Sequence, residues 1–257
     1  MKLIPDKKAP RSGGPAEDAA KEPRRYLVFG AHPDDIEFGC GAVVAKETQG
    51  GGSVHFVVCS RGEAGTNGTP KQRTAEAKRA AALLGATIEF VHLGGDAHFE
   101  RRAAYVIALA AIVRRVRPAA VLAPTTVENQ HPDHVVLGNM VRDATRVARY
   151  GGVKELRRAA PHAVEQLWFY ALGAEAEPLD LARVWIDVSA PAVVAAWSAA
   201  MQAHASQMKT RNYAEMQLAR ARLNGMRAGV EYAAALFTAD ALVFQSLAAA
   251  GRGARRF

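Results

Sequence analysis

Tyr26-Leu27-Val28-Phe29-Gly30 runs without a break into Ala31-His32-Pro33-Asp34-Asp35-Ile36-Glu37-Phe38. A short apolar run ended by glycine reads as a central strand buried on both faces, the kind found in parallel sheets covered by helices. The polar turn after it then falls at the carboxyl end of a strand, where open α/β sheets gather their ligands. From this point the alternation continues. A helix is expected from about Phe38 to Thr48, a strand over Val54–Cys59, a polar loop over Ser60–Thr69 and a helix from about Lys71 to Leu84 stopped by Gly85. Thr87–Leu93 and Ala120–Ala123 read as strands, Arg101–Val116 as a helix ending before Pro118, and His131–Tyr150 as a loop and helix. Gln166–Leu172 and Val184–Val188 follow as strands, and Pro191–Arg227 as two Ala-rich helices. Alternation of this kind predicts a Rossmann-like α/β fold, a mainly parallel sheet with helices on both faces in one domain.

The composition sets bounds on the rest. The 257 residues are 49% hydrophobic, enough for one large core. Residues 1–24 show neither helical nor strand periodicity and read as a flexible N-terminal segment; residues 25–250 form the expected domain, and residues 251–257 a basic C-terminal tail. The formal charge is +8, and residues 1–25 together with 251–257 supply +6 of it. A body so nearly balanced gives no basic face, and no nucleic-acid partner is expected. Two unpaired cysteines, Cys40 and Cys59, exclude a disulfide scaffold or a structural zinc module and fit a reducing cytoplasm. No apolar run has the length of a secretory signal core or a membrane span, so no membrane partner is expected and the protein reads as cytoplasmic.

The chemistry lies in two segments a hundred residues apart. His32 and Asp35 share one strand-to-helix turn, and His131-Pro132-Asp133-His134 follows the fourth strand on the same edge of the sheet. A metal ion that activates water takes about three nitrogen or carboxylate ligands and keeps one position open, and His32, Asp35 and His134 make such a set. Zn²⁺ suits those ligands, with iron, cobalt and manganese as other ions of the same preference. Asp34, beside a ligand, stays free to take a proton from water as general base. His131 would stand opposite as an imidazolium that stabilises an oxyanion and protonates a leaving nitrogen, with Asp133 hydrogen-bonded to it and favouring its charge. Read alone, His-Pro-Asp before a helix is a capped turn. Two such segments, each after a strand, favour a metal site and amide hydrolysis.

His32-Pro33-Asp34-Asp35 with Glu37 and Gly39, taken with His131-Pro132-Asp133-His134, resembles the signature of the LmbE-like or PIG-L zinc deacetylases, from about Tyr26 to the C-terminal helices. The resemblance implies removal of acetyl from an N-acetylglucosamine-type substrate, with zinc on His32, Asp35 and His134, Asp34 as base and His131 as acid. It further implies that Arg73, after Asn67-Gly68-Thr69, contacts the substrate, and that Tyr213 reaches the reaction centre as in the bacillithiol-pathway and related bacterial members. A homo-oligomer, such as a hexamer, is expected on the same basis. The chain departs from the pattern at Ile36, which separates Asp35 from Glu37, and at Ala163, where several sugar deacetylases carry an arginine; the second difference bears on which sugar derivative is bound. An amidase for a thiol-glycoside conjugate and a metal- or sugar-binding homologue without turnover are the alternatives. The remaining histidines, His204 among them, read as structural, and Asp96 as a residue of the active edge without assigned work.

Overall fold

A computed structural model describes residues 22–128 and 131–253. The expected N-terminal segment up to residue 21, residues 129 and 130, and Arg255 and Arg256 of the basic tail lie outside the described residues. Seven strands form one sheet: β1 (Arg25–Gly30), β2 (Ser53–Val58), β3 (Thr87–Phe90), β4 (Ala120–Pro124), β5 (Gln166–Tyr170), β6 (Ala182–Asp187) and β7 (Ala233–Thr238). Six helices connect them: α1 (Asp35–Gln49), α2 (Pro70–Leu83), α3 (Ala103–Val116), α4 (Pro132–Val147), α5 (Pro191–Gln202) and α6 (Tyr213–Ala228). The strand order is β3-β2-β1-β4-β5-β7-β6. The first five strands run parallel, and β7 lies antiparallel between β5 and β6.

Strand β1 shows why the sheet needs two helical layers. Side chains alternate across a strand. Leu27 and Phe29 therefore enter a core with α3 and α4, among them Leu109, Val113, Leu137 and Met140. Val28 enters a second core with α1, α2, α5 and α6, which includes Ile36, Val43, Ala80, Trp197 and Met201. Both faces of β1 are thus dry, which is the physical content of its unbroken apolar run.

Two differences from the sequence expectation have clear causes. Helix α1 begins at Asp35 rather than Phe38, because the turn at Asp34 leads directly into the helix. Strand β7 has no counterpart in the expected elements: Ala233-Ala234-Ala235-Leu236-Phe237-Thr238 carries three helix-favouring alanines and no alternation. It becomes a strand because it pairs along its whole length with β6 from Ala182 to Asp187.

Where α4 meets the sheet, the approach is too close for a side chain. A Cβ on Gly138 would lie 2.4 Å from the backbone oxygen of Pro124, at the end of β4. This contact seats the first turn of α4, with Asp133 and His134, over the strand end. Gly138→Ala is expected to lower stability by about 1–3 kcal/mol, because a rigid carbonyl must move, and urea unfolding of the two proteins measures it.

Candidate metal centre and active site

The turn after β1 is built by the carboxylate of Asp35. Its Oδ2 accepts the backbone N–H groups of Ala31 at 2.9 Å and His32 at 2.8 Å, and its Oδ1 faces His134 Nε2 at 3.1 Å. His32 Nδ1 lies 3.4 Å from Asp35 Oδ2. One potential ligand atom from each of His32, Asp35 and His134 falls within 4.8 Å of the others, and all three residues are buried. The two segments expected to meet are therefore brought together at the carboxyl ends of β1 and β4.

Asp34 takes the position before α1 that a helix-capping aspartate would occupy, yet its side chain makes no capping hydrogen bond. Its backbone has φ 124°, unusual for a residue with a side chain. That conformation turns the carboxylate away from the helix end and toward Arg73 Nη2, at 3.4 Å. The capped-turn reading therefore does not describe this residue. Burial, and next the charge of Asp35, push the Asp34 carboxyl up to about 6, against the opposing pull of Arg73, His204 and His32.

The far side of His32 is equally committed. Its Nε2 donates to Asp133 Oδ2 at 3.2 Å and lies 3.1 Å from Asp96 Oδ1. Carboxylates on the outer nitrogen of a histidine fix its ring and leave the other nitrogen for a metal. Burial disfavours charge on His32, but Asp35, Asp133 and Asp96 outweigh it and hold the imidazole well above its ordinary value. Burial likewise opposes ionisation of Asp35, yet His134 and His32 hold it well below the usual range. Four carboxylates, Asp34, Asp35, Asp96 and Asp133, thus share one small region with a single guanidinium, Arg73. Such a crowd calls for further positive charge, from protonated histidines or from a cation. His134 Nδ1, buried without a hydrogen-bond partner, adds a donor nitrogen to spare. The donor set therefore fits a divalent metal of the His/Asp type. Cys40 and Cys59 do not belong to it, since burial raises both thiols well above their ordinary values.

Asp133 is placed differently from the expectation. Its Oδ2 also accepts the N–H of Ala97 at 2.7 Å and its Oδ1 that of Phe99 at 3.3 Å, whereas His131 Nδ1 stands 3.8 Å from Oδ2. The carboxylate orients His32 and the loop after β3. Its backbone N–H, not its carboxylate, meets His131, donating to Nδ1 at 3.3 Å. A neutral His131 so held carries its proton on Nε2, which points toward Asp96 Oδ1 at 3.9 Å. Burial and then His32 lower the His131 value, opposite to the expected gain of charge.

Arg73, which the resemblance makes a substrate contact, has a guanidinium that is bonded within the protein. It is buried, and it donates to Pro33 O at 3.1 Å and Gly62 O at 3.2 Å besides facing Asp34. Tyr213 opens α6 with its ring 5.8 Å from that of Phe38, a packing contact. Asp96, without assigned work in the sequence, is 5% exposed and holds both His32 and the N–H of Ala64. Only its position after a strand in a glycine-rich loop hints at this.

The chain matches the family described as PIG-L, GlcNAc-PI de-N-acetylase, over residues 27–145. It is 30% identical to the conserved protein TT1542 from Thermus thermophilus, whose crystal structure superposes with a TM-score of 0.74 over 86% of this chain and 97% of that one. A 1D-myo-inositol 2-acetamido-2-deoxy-alpha-D-glucopyranoside deacetylase of Catenulispora acidiphila is 26% identical, covering 74% of this chain and 82% of its own. A 4-oxalmesaconate hydratase of Pseudomonas putida is 29% identical over 140 residues, covering 50% of this chain and 54% of its own. The chain spans about a third and about half of the first two curated relatives it matches.

The strained, charge-crowded Asp34 should cost the metal-free protein stability. Asp34→Asn, which keeps the shape and tolerates the backbone, is expected to raise its unfolding free energy by about 1–3 kcal/mol at pH 8. Thermal unfolding with a chelator present checks this, and a lower midpoint for the variant would contradict the reading of Asp34 as a crowded, buried charge.

Proposed function

The chain belongs to the PIG-L (LmbE-like) family, and from that premise we propose that it is a metal-dependent N-deacetylase, acting through residues 25–250 on an N-acetylglucosamine-type substrate, with Zn²⁺ as the resident ion. The observation that carries the reading is the pairing of a buried His32-Asp35-His134 set with an adjacent carboxylate, Asp34, released from helix capping. A divalent ion held by those three residues would supply an acidified water and a positive charge for the acyl oxygen.

The remaining work falls to side chains. Asp34, kept against Arg73, takes the proton of the attacking water. His131, its Nδ1 tied to the Asp133 backbone, presents Nε2–H toward the carbonyl oxygen and then the leaving nitrogen. Asp133 and Asp96 hold the His32 ring, and Arg73 ties the loop after β2 to the Asp34 turn. The deacetylase relatives support the sugar substrate, and the aglycone is left open by Ala163. A place in the cytoplasm and a homo-oligomer belong to the same proposal; among the described residues no helix is long and apolar enough to cross a membrane.

The match to a hydratase favours a second reading, since a water activated at the same corner can add to a conjugated double bond. Metal analysis with acetate release from a panel of N-acetylated sugars separates the two. Acetate without consumption of an unsaturated acid supports the deacetylase; the reverse supports the hydratase; neither activity after zinc reconstitution ends the proposal. Asp34→Ala is expected to keep its metal and lose at least about a thousandfold in kcat, and His134→Ala to lose both metal and rate.

The base must be ionised, so kcat/KM should rise with pH and then level. The midpoint of the acid limb belongs at or below about 6, the value for Asp34 without metal, because a bound cation offsets the charge of Asp35 and draws Asp34 down. A pH–rate profile of the zinc-loaded enzyme tests it, and a limb centred well above 6 would assign the base elsewhere.

A further inference from the structure

His204 lies in the connection between α5 and α6, far in sequence from the active edge, and is wholly buried. Its Nε2 stands 3.3 Å from Glu37 Oε2. Glu37 belongs to the first turn of α1, three residues after Asp34, and its backbone oxygen accepts the indole N–H of Trp197 at 2.7 Å. Two residues beyond His204, the backbone N–H and Oγ of Ser206 donate to the two carboxylate oxygens of Glu76, at 3.0 and 2.6 Å. Glu76 is one helical turn from Arg73. Gln207 Nε2 then donates to Asn67 O at 2.7 Å, in the loop before α2. Residues 204–207 therefore fasten together the three pieces that form the Asp34–Arg73 corner: α1, α2 and the loop between β2 and α2.

A buried ion pair is a poor device for stability alone, because desolvation consumes most of the attraction and an apolar pair fills the space as well. Here the cost is plain, since Glu37 Oε1 and both ring nitrogens of His204 are buried without hydrogen-bond partners, the 3.3 Å approach of Nε2 to Glu37 Oε2 being an ion pair without hydrogen-bond geometry. We infer that His204 is a positioning residue for Asp34: paired with Glu37, it fixes the first turn of α1 so that the strained Asp34 carboxylate stays off the helix end and against Arg73. Burial works against charge on His204, but Glu37 foremost, then Asp34 and Glu76, raise it, in keeping with an ion pair. The inference rests on Asp34 as the base of the proposed deacetylase.

Three variants of the full chain, assayed with bound zinc, decide it. His204→Ala should lower kcat at least tenfold with KM within twofold of wild type and metal content unchanged, and His204→Gln, whose amide N–H can reach Glu37, should recover most of the rate. The apolar pair Glu37→Met/His204→Leu should fold and bind zinc, yet keep the kcat loss; a merely structural pair would be rescued by it. Crystal structures of wild type and the double variant supply a readout independent of turnover. The backbone of Asp34 should leave its positive φ, or its contact with Arg73 should open beyond 3.4 Å. An unmoved Asp34, or a kcat for His204→Ala or the double variant equal to wild type, overturns the inference. If wild type releases no acetate, the deacetylase reading fails while the two structures still decide the role of His204.

Discussion

The organisation of this site depends on one electrostatic constraint: His32 sits between carboxylates on both ring nitrogens. Asp35 faces Nδ1, and Asp133 and Asp96 face Nε2. Each carboxylate comes from a different connection at one edge of the sheet, after β1, β3 and β4. Their mutual repulsion in a buried place is tolerable only with positive charge among them. Arg73 supplies one charge, and the imidazoles supply more only while protonated. A divalent cation satisfies the same demand and leaves the histidines neutral, as ligands must be. The negative charge that would make an empty fold costly is thus what would make metal binding strong.

The backbone is strained by this arrangement at Asp34. A residue in that position normally caps the helix, and the capping bond would lock up its oxygens. A positive φ prevents the bond and keeps the carboxylate available. Strain of that kind persists only when neighbours over-determine it. Here they are Arg73, which holds Pro33 O and the Asp34 carboxylate from one side, and the Asp35 bonds to Ala31 and His32 on the other. The close seating of Gly138 on Pro124 performs a similar service for α4, bringing His131 and His134 to a fixed distance from the β1 turn.

Much of the fold was legible because buried parallel strands are apolar along their length, as Tyr26–Gly30 is throughout and Val54–Cys59 is except at His55. The convergence of His32, Asp35 and His134 was legible for a topological reason, since parallel strands put their carboxyl ends on one edge. Strand β7 was not legible: Ala233–Ala235 prefer a helix in isolation, and only pairing with β6 makes them a strand. Nor were the partners of Asp133 and Arg73. Spacing places Asp133 near His131, but hydrogen bonding is decided by distance and direction, and the loop after β3 together with the β1 turn delivers Ala97, Phe99 and His32 instead.

The sequence by itself determined the layers, the edge on which the chemistry gathers and the residue types that suit a divalent metal, because periodicity and ligand chemistry are local properties. The tertiary structure alone decided that Asp34 leaves the helix uncapped, that Asp96 joins Asp133 behind His32, that Arg73 is buried as a tie between loops and that His204 meets Glu37. These are contacts between segments up to about 170 residues apart in sequence, and no local signal records them, since each depends on how the two cores press the connections together at one edge.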